Sequence, residues 1–355
     1  MKSETECLID NEFSYSSNVI LSKGITHDIF YGNIIKDNSQ CAIKTEEIST
    51  SSPQLEHEYN MLSALHDKKC SNIPRVYKYS KKGSKSLLIM ELLGHSIDKI
   101  FSLCNYKFPL SSSLLIIGQM LDIIKSIHSN DIIHRDIRPE HFIYDKASSS
   151  DIIKPALDDG LPVDINPQSK MYLVDFGVSK YFIDQETHNH IAFKNKKDFQ
   201  GSAMFSSVWS HLGAEKSRRD DLDSLAFIMI YLLKGELPWQ KVKAKTKKEI
   251  KNTITELKVS ISPMELCKGI PFEECVRFIH YIRGLQFEEV PKYDYMKQLI
   301  IKAIEKSGFE QNNKRSYYIG INYSEEEKKE AEQEEKKKNK KKLLYSVKRV
   351  NYNII

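Results

Sequence analysis

The sequence predicts an α+β protein of two lobes, a small strand-rich one followed by a larger helical one. Three observations carry this. The first 90 residues alternate short apolar runs with turns. After Gly94 the texture changes to long helical periodicities. A chain of 355 residues with a hydrophobic fraction of 40% has enough apolar material to bury a large core.

Taken in order, 28-DIFYGNI-34, 41-CAIK-44 and 87-LLIMELL-93 read as strands, the last two rich in strand formers. Between them, 53-PQLEHEYNMLSAL-65 has helical spacing through Leu55, Met61, Leu62 and Leu65, with Pro53 at its start. Residues 110–130 place Leu114, Ile117, Leu121, Ile124 and Ile127 on one helical face. Residues 220–235 are apolar almost all round, as expected of a helix inside a large lobe. The small lobe is expected over 14–93 and the large one over 94–310. The Ser-, Asp- and Pro-rich stretch 145–170 is expected to be an inserted surface loop. Past Phe309 the apolar periodicity stops, so 311–355 is expected to be a flexible charged tail.

Composition narrows the function classes. The start of the chain lacks a charged segment followed by an apolar core, so secretion is not expected. The longest apolar run, 225-LAFIMIYLL-233, is too short to span a bilayer. Six cysteines are scattered with no C-x-x-C pair, which argues against a zinc site and a disulfide scaffold. The chain is therefore expected to be intracellular and reduced, in nucleus and/or cytoplasm. Its net charge of +5 is unevenly placed: 241-KVKAKTKKEIK-251 and 336-KKKNKKK-342 are basic blocks. The second suggests nuclear import or contact with nucleic acid or acidic lipid, against the plainer reading of a solvated tail.

The chemistry lies in four separated stretches. Transfer of phosphate from ATP needs positioned charges around phosphates and metal more than covalent chemistry. Lys44 ends a strand in the manner of a V-A-I-K signature, suited to holding the α- and β-phosphates. Glu58, on the following helix, is the carboxylate expected to fix its rotamer. In 132-IIHRDIRPEHFIYD-145, Asp136 is placed to accept a substrate hydroxyl proton. In 173-LVDFGVSK-180, Asp175 is placed to hold Mg²⁺. Each motif alone is weak, since a strand lysine or a D-F-G turn is common; four in order are specific.

The chain resembles the casein kinase I family of serine/threonine protein kinases. The stretches that carry the resemblance include 53-PQL-55, 72-NIP-74, 90-MELLG-94, 211-HLGAEKSRRDDLDSL-225, 237-LPWQ-240, 262-SPMELCKG-269 and 291-PKYDY-295. They run in family order over about residues 14 to 310. The resemblance implies a two-lobed protein kinase fold with ATP in the cleft. It implies that Leu21, Gly24, Ile29, Ala42 and Ile143 line the nucleotide pocket. Met90 would stand at its back, and Glu91 and Leu93 would offer backbone groups to adenine. It implies too that Asp221 braces the catalytic loop. Substrates would be acidic proteins phosphorylated on Ser or Thr, in processes that include DNA repair, and the chain is expected to be a monomer.

Departures from the family pattern bear on activity. The phosphate loop is 22-SKGITH-27, with Ser22 and His27 at the outer glycine positions. Side chains there loosen or reshape nucleotide binding. Arg138 replaces the lysine that neutralises the transferring phosphate; it keeps the charge and changes the geometry. His141 replaces a metal-binding asparagine, and imidazole suits Mg²⁺ poorly, so either Mn²⁺ is preferred or the ring swings out and a water replaces it. Met204 and Ile250 stand where basic residues would grip a substrate phosphate. Asp136 and Asp175 are 39 positions apart, longer than the family norm, because of 145–170. A histidine metal cluster is not expected from His134, His141, His188 and His190. Two readings follow: a working kinase, and a pseudokinase that binds nucleotide or acts as a scaffold. Retention of Lys44, Glu58, Asp136 and Asp175 favours the first.

Overall fold

A computed structural model of the chain describes residues 6–24, 27–146, 169–199 and 201–307. Most of the expected insertion and all of the expected tail over 311–355 lie outside the described residues.

The N-terminal region is one antiparallel sheet. Its strands are β1 (Glu6–Ile9), β2 (Phe13–Lys23), β3 (Asp28–Ile34), β4 (Ser39–Glu47), β5 (Val76–Lys82) and β6 (Lys85–Glu91), in the order β1-β2-β3-β4-β6-β5. Strand structure thus begins before residue 14. Side chains alternate across a strand. On β4, Cys41 and Ile43 therefore enter a core with Ile9, Phe13, Leu87 and Ile89. Ala42, Lys44 and Glu46 face the other way, and all three are buried.

Helix α1 (Leu55–Asp67) lies between β4 and β5 in sequence and packs on β4, β5 and β6. Its expected apolar stripe of Leu55, Met61, Leu62 and Leu65 is buried. Glu58 sits on that same stripe and is only 1% exposed, which for a carboxylate requires a partner. The helix has no side-chain cap of its own at Gln54. Instead the carboxylate of Glu46, from the end of β4, accepts the N–H groups of Gln54 at 2.9 Å and Leu55 at 3.4 Å. An anion placed there satisfies orphan donors and opposes the helix dipole.

The C-terminal region is helical. Its helices are α2 (Ile97–Leu103), α3 (Leu110–His128), α4 (Val208–His211), α5 (Arg218–Lys234), α6 (Lys247–Ser260), α7 (Pro263–Leu266), α8 (Glu273–Gly284) and α9 (Tyr293–Lys306). Two short antiparallel pairs lie between α3 and α4 in sequence: β7 (Ile132–Ile133) with β10 (Lys180–Tyr181), and β8 (Phe142–Tyr144) with β9 (Met171–Leu173). A 3-10 turn, Pro139–His141, leads into β8. The pair β8–β9 flanks the expected insertion.

Helices α5 and α9 both pack on α3, whose five expected core positions are all buried. Each such Leu or Ile contributes about 1.5–3 kcal/mol relative to exposure. By length and composition alone α3 could cross a membrane, but most of it is interior to this core. Helix α5 opens with a Ser217–Asp220 capping box and closes on Gly235 at φ +85°, a left-handed stop that favours glycine.

Candidate active site

Lys44 places its ammonium 2.7 Å from Glu58 Oε2 and 2.9 Å from Asp175 Oδ1. The strand alternation of β4 and the helical stripe of α1 bring the first pair together. The second depends on the segment after β9, where Asp175 takes φ +66°. The other oxygen of Glu58 accepts the Phe176 N–H at 3.2 Å, so one carboxylate ties helix, strand and D-F-G segment. Burial alone would lower the Lys44 pKa, but Asp175 and Glu58 outweigh it and hold the ammonium above its ordinary range. Burial pushes the Asp175 carboxyl up; Lys44 and His141 overcome that and hold it well below the usual carboxylate range. The Lys44 and Asp175 charges therefore persist at neutral pH, while burial pushes the Glu58 carboxyl up against the pull of Lys44.

The loop after β7 is fixed from below. Asp221, near the start of α5, accepts the N–H of His134 at 2.7 Å and of Arg135 at 2.9 Å. His128 from α3 approaches the same carboxylate at 3.0 Å. Arg135 is held at φ +72°, a costly conformation for a non-glycine residue. Three contacts retain it there: that to Asp221, its Nη1 donating to Val178 O at 3.1 Å, and Lys216 Nζ donating to its carbonyl at 2.7 Å. His134 donates from Nε2 to Val174 O at 3.0 Å, and burial lowers its pKa, leaving the ring neutral.

Asp136 accepts the Ser202 N–H at 3.1 Å through Oδ1. Gly201, at φ +94°, lets the backbone come this close, because a Cβ there would stand 2.9 Å from that oxygen. Arg138 is partly exposed, with Nε 3.4 Å from Glu140 Oε2. His141 is buried and turned inward, which rules out the swung-out ring in this conformation. Its Nδ1 lies 2.9 Å from the Asp136 carbonyl and its Nε2 lies 3.3 Å from Asp175 Oδ2.

The arrangement is a buried cation between two carboxylates, one on a D-F-G segment, beside a braced H-R-D loop. Residues 15–317 match the protein kinase domain family. The chain belongs to the protein kinase family. Among its relatives, casein kinase I homolog 1 of Schizosaccharomyces pombe is 37% identical over 278 residues, covering 78% of this chain and 58% of its own length. A probable casein kinase I homolog of Encephalitozoon cuniculi is 35% identical over 296 residues, covering 82% of this chain and 89% of its own. The chain thus falls in the casein kinase I branch and with it among the serine/threonine protein kinases, and the strand-rich and helical regions are the two lobes of that fold. It spans less than two thirds of the Schizosaccharomyces relative.

The residues expected around the nucleotide lie on or next to β2, β3, β4, β6 and β8. Ala42 is buried opposite Met90 in the β4–β6 register, and Ile29 pairs with Lys44 across β3–β4. Leu21 lies on β2 and is exposed. Glu91 ends β6, Leu93 follows, and Ile143 bridges Ser96 just beyond them. Gly24 donates to the His27 carbonyl at 2.9 Å, and a Cβ on Gly24 would stand only 2.5 Å from that oxygen. The His27 ring donates to Glu46 Oε1 at 3.1 Å; burial, then the nearby Lys44 charge, keep it neutral. The phosphate loop is thereby tied through Glu46 to the start of α1.

Several structural supports gave no sequence signal. Glu46 is one; Lys216 is another. Lys258 on α6 is fully buried and donates to the carbonyls of Ala203 at 2.9 Å and Ser206 at 2.6 Å. Asp220 accepts from Ser217 N and from the Ser207 hydroxyl, and Asp223 accepts from Val208 N, so the S-R-R-D-D-L-D run anchors three separate backbone segments. Met204 offers only its carbonyl, to Trp239 Nε1 at 2.8 Å, and Ile250 is half-buried on α6. Ser179 and Ser206, hydroxyls that follow the D-F-G motif in sequence, are buried. Among the described residues no group of three or more His, Cys, Asp or Glu could hold a metal.

Proposed function

We propose that the chain is an ATP-dependent serine/threonine kinase acting on acidic protein substrates. The observation that carries this is the complete Lys44–Glu58–Asp175 cluster, with Lys44 and Glu58 buried, Asp175 partly exposed and His141 against Asp175. Lys44, held by Glu58, positions the α- and β-phosphates. Asp136, with one oxygen fixed by Ser202 N, orients the substrate hydroxyl and takes its proton through the other. Asp175 is the carboxylate for the divalent ion, taken as Mg²⁺ in the plainest case, and the bound ion neutralises phosphate charge. The fit of the residues to a divalent ion rests on the partly exposed Asp175 carboxylate, with His141 Nε2 3.3 Å from its Oδ2. Arg138 supplies the cation next to the base. Leu21, Gly24, Ile29, Ala42 and Ile143 form the nucleotide pocket, and Glu91 and Leu93 meet the adenine.

Preference for acidic substrates is supported by the exposed lysines of 241–251, which raise the local concentration of anionic segments. The nuclear or cytoplasmic placement, a part in DNA repair and nucleic-acid contact through 336–342 rest on sequence alone. The monomeric state rests on the resemblance. A second reading, a nucleotide-binding module without turnover, is favoured by one observation: the Arg138 guanidinium is engaged with Glu140.

Transfer from labelled ATP to casein or an acidic serine peptide separates the two readings. Wild type is expected to transfer phosphate, and Asp136→Asn to lose nearly all of it. Nucleotide binding without turnover in Mg²⁺, Mn²⁺ or any other divalent ion would overturn the kinase reading.

A further inference from the structure

His141 is held in one orientation by chemistry that fixes its tautomer. A carbonyl oxygen only accepts, so the 2.9 Å contact to Asp136 O requires the proton on Nδ1. In the neutral ring Nε2 is then the lone-pair nitrogen, and in the cation it carries a second proton; in both it points at Asp175 Oδ2 from 3.3 Å. Two lone pairs at that separation repel unless a proton or a cation lies between them. The ring is 7% exposed and cannot relieve this by turning to water.

We infer that His141 Nε2 and Asp175 Oδ2 are neighbouring ligands of one divalent ion, and that the nitrogen makes the site selective for a first-row transition ion over Mg²⁺. This deepens the kinase reading and rests on it for the presence of a nucleotide. Three features of the pair support it. Adjacent ligands of an octahedral ion with bonds of about 2.1 Å stand about 3 Å apart, close to the separation seen here. A metal-binding histidine characteristically donates its other ring N–H to a carbonyl or carboxylate, and His141 donates to Asp136 O. Imidazole is accepted by transition dications and disfavoured by Mg²⁺, whose partners are oxygens. The chain offers two donors here and no third His, Cys, Asp or Glu among the described residues, so phosphate oxygens and water complete the shell. The site is therefore built to take the ion together with the nucleotide. An asparagine at 141 could keep the hydrogen bond to Asp136 O but would bring an oxygen to the metal. The substitution thus preserves the loop and changes the ligand.

Pulsed electron paramagnetic resonance tests this on the full chain loaded with Mn²⁺ and a non-hydrolysable ATP analogue. Echo modulation from a directly bound ¹⁴N is expected in wild type and absent in His141→Asn. Wild type grown with ¹⁵N-histidine should convert that modulation to the ¹⁵N pattern, which needs no variant to fold. Competition of Mg²⁺ against bound Mn²⁺ should show the preference for Mn²⁺ falling about tenfold or more in His141→Asn. Spectra unchanged by ¹⁵N-histidine, or no retention of Mn²⁺ with nucleotide, overturn the inference even if Mg²⁺ supports full turnover. Histidine modulation in a protein that transfers no phosphate upholds it and removes only the kinase reading.

Discussion

The two sides of the cleft are built on different terms. On the nucleotide side, Lys44, Glu58 and Phe176 N are buried and mutually paired. On the reaction side, Asp136 bonds Ser202 N through one oxygen, Arg138 is partly exposed beside Glu140, and His141 turns inward to Asp175. The backbone of that loop is nonetheless as firmly held, by Asp221 and Lys216. The difference teaches that the frame and the reacting groups are separable. In the function proposed above, the Lys44–Glu58–Asp175 triangle positions the nucleotide, while the loop residues that depart from the family pattern select the ion and meet the phosphate.

That separation is broken most sharply by Asp136→Asn. The side chain keeps its shape and its contact to Ser202 N, but cannot take a proton. Transfer is expected to fall about 10³-fold. Affinity for nucleotide should stay within a fewfold of wild type, as read by fluorescence titration. A comparable loss of nucleotide affinity would show that the two sides are not separable.

Lys44→Met attacks the other side. It leaves Glu58 buried without its cation, and removing one partner of such a pair costs about 3–5 kcal/mol. Urea unfolding should register that loss. The double variant Lys44→Met/Glu58→Leu should recover much of the stability and none of the transfer. If the single variant is as stable as wild type, the triangle does not hold the frame.

How far this was legible in the sequence differs between the two sides. Lys44, Asp136 and Asp175 sit in short motifs whose order is informative, and Glu58 stands out as a charge on an apolar stripe. Long-range partners were not legible. Glu46 caps α1 only because β4 ends beside the helix start. Lys258 and Lys216 have the sequence surroundings of surface lysines, and only the fold puts backbone carbonyls around them. The inward setting of His141 follows from a carbonyl five residues earlier, brought within reach by the turn over Pro139–His141. The expected insertion and tail were read from composition, and most of the first and all of the second fall outside the described residues.

Beneath the reaction side, acid should loosen the segment that Lys258 and His211 support. His211 is buried between Thr255 and the Ala203 carbonyl. Burial first, and then the Lys258 charge, push its pKa down to about 3 from an ordinary 6.5. The unfolded chain takes up the proton near pH 6.5 and the folded chain only near pH 3. The unfolded state therefore binds more protons in between, and stability falls as pH is lowered through that window. By pH 5 the loss should reach about 2 kcal/mol, and His211→Gln should flatten this part of the profile. Equal pH slopes for both proteins in urea unfolding would place the acid sensitivity elsewhere.

Glu46→Ala sharpens the link between phosphate loop and helix. It removes the acceptor for Gln54 and Leu55 N–H and for the His27 ring together. A lost cap of this kind costs about 1 kcal/mol. Nucleotide affinity should weaken with it, because His27 and α1 lose their common tie. His27→Ala should weaken nucleotide binding without the full stability loss, since the cap remains. If Glu46→Ala lowers stability but leaves nucleotide affinity at the wild-type value, Glu46 serves the helix alone.

The smallest expected effect concerns substrate capture. Lys243, Lys245 and Lys248 are exposed at and before the start of α6, whereas Lys251 is spent over the Phe199 ring at 4.7 Å. Exposed charges of this kind act at long range, on encounter more than on the bound complex. Replacing all three by Gln should therefore lower kcat/KM for an acidic peptide a fewfold while leaving kcat unchanged. The deficit should shrink as salt rises, since screening shortens the reach of the remaining field to about 8 Å at physiological ionic strength. A neutral peptide of the same length should show no difference between the two proteins. If the triple variant lowers kcat as well, these lysines touch the bound substrate and the reaction side extends as far as α6.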